Sequence, residues 1–154
     1  MEKPSLFERR FRIVTGLTLA TYVTLHLINH SLGLISMDAM EAMRKVVTPF
    51  WRSWYGATLL YGSLIFHFLM GLLSIYRRQT LKIPAWELCQ FSFGLLLIPF
   101  LAGHIAATFG TRHFLHVDLT YTSVLTYMFS NNWYVLRQFL LLTIVVAHVC
   151  IGVH

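Results

Sequence analysis

FRIVTGLTLATYVTLHLINHSLGL, residues 11–34, decides the fold. The stretch is apolar almost throughout and contains no acidic residue. At about 1.5 Å of helical rise per residue it is long enough to cross a hydrocarbon core of about 30 Å. Yet it carries His26 and His30 one helical turn apart near its far end. Ionisable side chains are costly at membrane depth, so such residues point first to function.

Three further stretches repeat the pattern. GATLLYGSLIFHFLMGLLSIY (56–76), AWELCQFSFGLLLIPFLAGHIAATF (85–109) and the run from Asn132–Trp133 to His154 each have span length and an internal histidine. The expectation is an all-α transmembrane helical bundle with four spans. Pro99 predicts a kink in the third span, because it removes a backbone donor and crowds the preceding turn. Between the first two spans, SMDAMEAMRKVVTPFW (36–51) sets Met37, Met40, Met43, Val46 and Val47 at helical spacing against Asp38, Glu41, Arg44 and Lys45. This predicts a short amphipathic helix in the interface, capped by Ser36 or Asp38 and stopped by Pro49. Trp51, Trp54 and Tyr55 read as an aromatic belt. TYTSVLTYMF (120–129) reads as a second short interfacial helix, within the connection 110–132.

Composition agrees with a single membrane domain, residues 1–154. Of the 154 residues, 56% are hydrophobic and 12% charged, against about 25% charged in soluble domains. The net charge of +6 does not form a nucleic-acid surface; the cations sit at span ends, where they set topology. Lys3, Arg9, Arg10, Arg12, Arg77, Arg78 and Lys82 lie on one side, and Arg44, Lys45, Arg52, Arg112 and Arg137 on the other. Seven against five of the 12 cations puts the N-terminus in the cytoplasm. The N-terminal run is too long for a secretory signal and no small-residue cleavage site follows it. Cys89 and Cys150 fall in apolar spans outside any C-x-x-C-H motif and read as small buried residues. The last span stops at GVH without cap or flank, which reads as a fragment of a longer protein.

One histidine in one span would usually be a packing or hydrogen-bonding group; His26, His67, His104 and His148 in four spans carry a different implication. By helical rise, His26 lies roughly 21 Å above Arg12 and His104 roughly 27 Å above Trp86, both in the outer half. His67 lies roughly 15 Å above Arg77 and His148 roughly 22 Å below Trp133, both in the inner half. Two bis-histidine sites follow, His26 with His104 and His67 with His148. The glycines repeat the pairing: Gly16-x9-His26 matches Gly94-x9-His104, and His67-x3-Gly71 matches His148-x3-Gly152. Gly16 and Gly94 lie about 15 Å inward of their histidines, at the depth of the second site, where a small residue makes room for a planar group.

Two neutral imidazoles from facing helices are axial ligands for haem, and an apolar slot suits the macrocycle. Two b-type haems are therefore expected, with the four histidines as iron ligands and Gly16, Gly94, Gly71 and Gly152 beside the rings. Structural zinc needs four ligands around one ion, and these histidines are split between depths. A histidine proton relay is the competing reading. His30 is an alternative to His26 as ligand, or a contact to a propionate or a quinone; His26 alone fits the glycine spacing. His113 and His116 read as solvated loop residues. No phosphate-binding glycine loop, nucleophile elbow or metalloprotease helix is present, so no catalytic residue is assigned.

RFRIVTGLTLATYVTLHLINH, GSLIFHFLMGLLSIY, CQFSFGLLLIPFLAGH and LLLTIVVAHVCIGVH resemble the first four helices of the cytochrome b membrane anchor of succinate dehydrogenases and fumarate reductases. That resemblance implies two haems with ligands paired first helix with third and second with fourth, at His26, His104, His67 and His148. It would make the chain an electron-transfer subunit exchanging electrons with quinone. NHSLGLISMDAMEAMR, FWRSWYGATLLYGSLIFHF and YRRQTLKIPAWE are similar to the N-terminal, six-helix anchor of bacterial class III adenylate cyclases. This closer resemblance implies an inner-membrane redox or quinone sensor that regulates conversion of ATP to cyclic AMP by an attached, dimeric C-terminal domain. The sequence departs from that pattern by ending in the fourth helix, so no cyclase residue carries over.

Overall fold

The computed structural model describes residues 5–78, 80, 82–117 and 119–153. Lys3 in the topology count, Asp118 in the long connection and His154 at the chain end lie outside these residues. Among the described residues the regular structure is wholly helical, and the chain falls into two compact units, Met1–Lys82 and Ile83–His154. Each unit is a hairpin of two long apolar helices with a short helix between them.

The first hairpin comprises α1 (Leu6–Ser31), α2 (Met37–Arg52) and α3 (Trp54–Tyr76). α1 begins before the first apolar run, because Ser5 accepts from the Glu8 amide while Glu8 reaches back to the Ser5 amide. It ends in a 3-10 turn, Leu32–Leu34. Ser36 caps α2 through the Ala39 amide (3.0 Å). α2 continues through Pro49 to Arg52. A proline forfeits only its own bond to the turn before it, and one placed a turn from the helix end leaves the last amides their partners. Ser53 ends α2 instead: its backbone is extended, and its hydroxyl accepts from the Gly56 amide (3.2 Å) to start α3. The helices pack closely at that corner, where a Cβ on Gly56 would collide with the Phe50 carbonyl. At the opposite end Arg77 donates to both carboxylate oxygens of Glu8 (2.9 Å each), and Arg12 donates to Ser74 (3.3 Å). Met40 is the buried methionine of α2, at 3% exposure, whereas Val46 of the expected apolar stripe is exposed.

The second hairpin comprises α4 (Ala85–Phe114), α5 (Tyr121–Phe129) and α6 (Asn132–Gly152). α4 is α-helical to Ile105 and runs through Pro99 without a break. A π turn follows over Ala106–Gly110, before a last α turn over Thr111–Phe114. Thr120 caps α5 and Asn131 caps α6, the latter through the Trp133 amide (2.8 Å). His113 lies in the final turn of α4 and His116 just beyond it, with a positive φ of 53°. Both are exposed. Cys89 and Cys150 are free thiols on the exposed faces of α4 and α6, not buried as the composition suggests.

Among the described residues, four helices are long and apolar enough to cross a membrane: Leu6–Leu34, Trp54–Tyr76, Ala85–Phe114 and Asn132–Gly152. Their outward faces carry Leu17, Leu59, Ile65, Leu95, Leu96 and Phe139, all exposed. Side chains of this kind each cost roughly 1.5–3 kcal/mol in water relative to burial, so lipid is the solvent that suits them.

Candidate functional site

In the first hairpin the inner histidine rests on a glycine. A Cβ at residue 16 would lie 3.1 Å from His67 Cε1 and 3.4 Å from His67 Nδ1. Glycine favours that approach, since a Cβ at 3.1 Å is tighter than ordinary van der Waals packing and the ring would have to give by a few tenths of an ångström. Thr15 stands beside it, 5% exposed, with Oγ1 3.4 Å from His67 Nδ1. The Thr15 hydroxyl already lies within reach of the Phe11 and Arg12 carbonyls (2.9 and 3.1 Å), to which its proton is donated. With its proton directed to those carbonyls, the hydroxyl can accept from the ring when His67 carries its proton on Nδ1. A neutral imidazole in that tautomer carries its lone pair on Nε2, the nitrogen suited to a metal.

The second hairpin repeats the arrangement with different atoms. A Cβ at residue 94 would lie 3.1 Å from His148 Cε1. His148 Nδ1 is 3.1 Å from the Gln90 carbonyl. A carbonyl oxygen cannot donate, so this ring too is protonated at Nδ1 and presents the Nε2 lone pair. Gly152 faces Gln90, whose Nε2 would be 2.8 Å from a Cβ there. Gly71, its counterpart by spacing, meets nothing within 4 Å.

The outer histidines differ from each other. His26 and His30 share a face of α1 with their Nε2 atoms 3.2 Å apart and their rings edge-on at 4.5 Å. Tyr22 stacks on His26 at 5.6 Å and meets Trp51 of α2 edge-on at 5.1 Å. His104 instead faces α6, where the Gln138 side chain hydrogen-bonds its imidazole. The Thr108 hydroxyl, in the π turn, donates to the His104 carbonyl (2.9 Å).

In both hairpins, then, the helix pairing sets the glycine of the first helix against the inner histidine, while the outer histidine lies ten residues further along the first helix, about 15 Å away. Imidazole donors with Nε2 lone pairs, and ring edges cradled where a Cβ would intrude, fit axial ligation of a flat macrocycle. Thr15 and the Gln90 carbonyl were not foreseen as site groups. Thr15 adjoins Gly16 and Gln90 lies one turn before Gly94, so both were within reach of the glycine signal. Comparison with known protein families, curated proteins and solved structures finds no match.

Proposed function

We propose that the chain is a b-type cytochrome anchor for two haems, with His26 and His104 as one ligand pair and His67 and His148 as the other. The observation that carries this reading is the repeated contact of an inner histidine with a glycine, Nδ1 turned to a protein acceptor in each hairpin. A structural histidine needs a hydrogen bond, but it does not need a glycine beneath the ring in two hairpins of unlike sequence.

When bound, haem supplies one-electron redox chemistry at an iron held by two imidazoles. The chain's own part is to fix the rings. Gly16 and Gly94 admit His67 and His148 close to the neighbouring helix, and Thr15 and the Gln90 carbonyl hold the Nδ1 protons. The apolar helix faces keep water from the site. The output we propose is redox or quinone sensing that regulates an attached class III adenylate cyclase, with the bilayer of a bacterial inner membrane as the setting and the N-terminus cytoplasmic. A ligand or redox state biases an attached domain only through a difference in free energy between two conformations.

The test is a reduced-minus-oxidised spectrum with a pyridine haemochrome count on protein purified in detergent. Two b haems per chain are expected; an intact, colourless protein under adequate haem supply overturns the reading in favour of a histidine relay. The sensor role is tested by cyclase activity of the full-length protein as quinol and oxidant are varied. Copurification with flavin and iron–sulfur subunits would instead assign the chain to a succinate dehydrogenase or fumarate reductase.

A further inference from the structure

The second hairpin carries a cation that it leaves uncompensated. Arg137 is half-buried in α6, roughly 7–8 Å along the helix from Asn132. Among the described residues its guanidinium makes no ion pair and no hydrogen bond. It lies against the α4 backbone at Gly103: a Cβ there would stand 2.5 Å from Nη1. Gly103 adjoins His104, and Gln138, the residue after Arg137, hydrogen-bonds the His104 imidazole. The charge is also near Tyr127, whose phenol hydrogen-bonds Tyr134.

A guanidinium at this depth is costly without a counter-charge. Other arginines of the chain show what compensation looks like: Arg44 pairs with Glu41 and Arg77 with Glu8. Arg137 has the notch but not the anion. Its planar fork matches a carboxylate, two donors to two oxygens.

We propose that Arg137, seated on Gly103, holds a carboxylate of the group bound at His104, namely a haem propionate. The inference rests on the haem reading and adds an orientation to it: the carboxylate edge of that macrocycle faces the Asn132 end of α6. A lipid phosphate has the same oxyanion chemistry and is the rival occupant.

The experiment strips the full chain of haem and titrates it, in phosphatidylcholine vesicles, with iron protoporphyrin IX and with its dimethyl ester, which lacks the carboxylate charge. A His67→Ala background leaves only the His104 site to fill. The expected result is a preference for the free acid of roughly ten- to hundredfold, the scale of one charge-assisted pair. Arg137→Gln should abolish the preference while keeping ester affinity, which shows that the fold survives. Gly103→Val should do the same by pushing the guanidinium from its notch. Equal binding of the two porphyrins by the unsubstituted Arg137 protein, or an undiminished preference in Arg137→Gln, overturns the carboxylate pairing and leaves the haem reading standing. Binding of neither porphyrin overturns both. A preference that vanishes when phosphatidylglycerol is added assigns Arg137 to lipid phosphate and also overturns the pairing.

Discussion

The two hairpins agree at their inner ends and disagree at their outer ends. At the inner end, Gly16 with His67 and Gly94 with His148 give the same 3.1 Å approach to Cε1. At the outer end of the first hairpin, α2 folds in: Met40 is buried, Gly33 approaches its sulfur, and Tyr22 bridges His26 and Trp51. At the outer end of the second, the Arg137 guanidinium occupies the corresponding space against Gly103. Few residues match between the hairpins beyond the histidines and glycines, so general sequence likeness does not explain the agreement. Geometry that recurs on different side chains calls for a shared requirement, and under the haem reading proposed above a bound planar group is that requirement. Geometry that differs is free to serve the particular end it occupies.

The largest expected effect comes from removing an inner ligand. His67→Ala or His148→Ala should each lower the haem count from two per chain to one, and should remove the same spectral component. That equality sharpens the comparison, because one haem is assigned one histidine from each hairpin. Loss of different components in the two variants, or retention of both haems, breaks the pairing.

Next come the glycines. Gly16→Val and Gly94→Val insert branched groups where a single Cβ is already at 3.1 Å from a ring. Overpacking of this kind costs about 1–3 kcal/mol, which weakens binding of the inner haem roughly 5- to 150-fold if the strain falls on the ligand ring. The two variants should match within a few fold. Gly71→Val is the informative contrast, since that position meets nothing in its own hairpin. Haem titration of Gly71→Val that is unchanged removes Gly71 from the site; a loss comparable to Gly16→Val means that the bound group itself fills the space.

Much of this was legible from the chain. The four spans stand out because apolar runs of that length have few other uses, and Ser36 announces the start of α2; Ser5 and Ser53 start α1 and α3 ahead of the apolar runs at 11 and 56. Helical rise alone brought Gly16 to the depth of His67. The misses share a physical cause: they depend on which way a side chain turns or on how helix ends are satisfied. Pro49 looks like a stop, but the termination depends on the extended backbone of Ser53. The π turn at Ala106–Gly110 has no signal in the sequence, because it depends on how the end of α4 satisfies its backbone groups. Cys89 and Cys150 sit in apolar runs, and an apolar run does not say which face meets lipid. Gly103 carries no signal in the sequence, since its place depends on where the Arg137 side chain turns.

The smallest effect tests the one chemical difference between the inner sites. His67 leans on a hydroxyl that substitution can remove, whereas His148 leans on a backbone carbonyl that it cannot. Thr15→Val keeps the shape and deletes the acceptor. An acceptor on Nδ1–H draws the imidazole toward imidazolate and makes it a stronger donor, which favours ferric over ferrous iron. Its loss should therefore raise the midpoint potential of the haem assigned to His67 and His148. A hydrogen bond is worth about 1 kcal/mol and tenfold in a one-electron equilibrium is about 59 mV, so about 40 mV is the ceiling. Thr18→Val is the control, since that hydroxyl bonds only the Val14 carbonyl and should leave both potentials in place. A spectroelectrochemical titration resolves the two haems. A rise confined to one haem supports Thr15 as the group that orients His67. An unchanged potential would mean that Gly16 and helix packing hold the ring unaided, and a shift of both haems would mean that the substitution disturbs the hairpin as a whole.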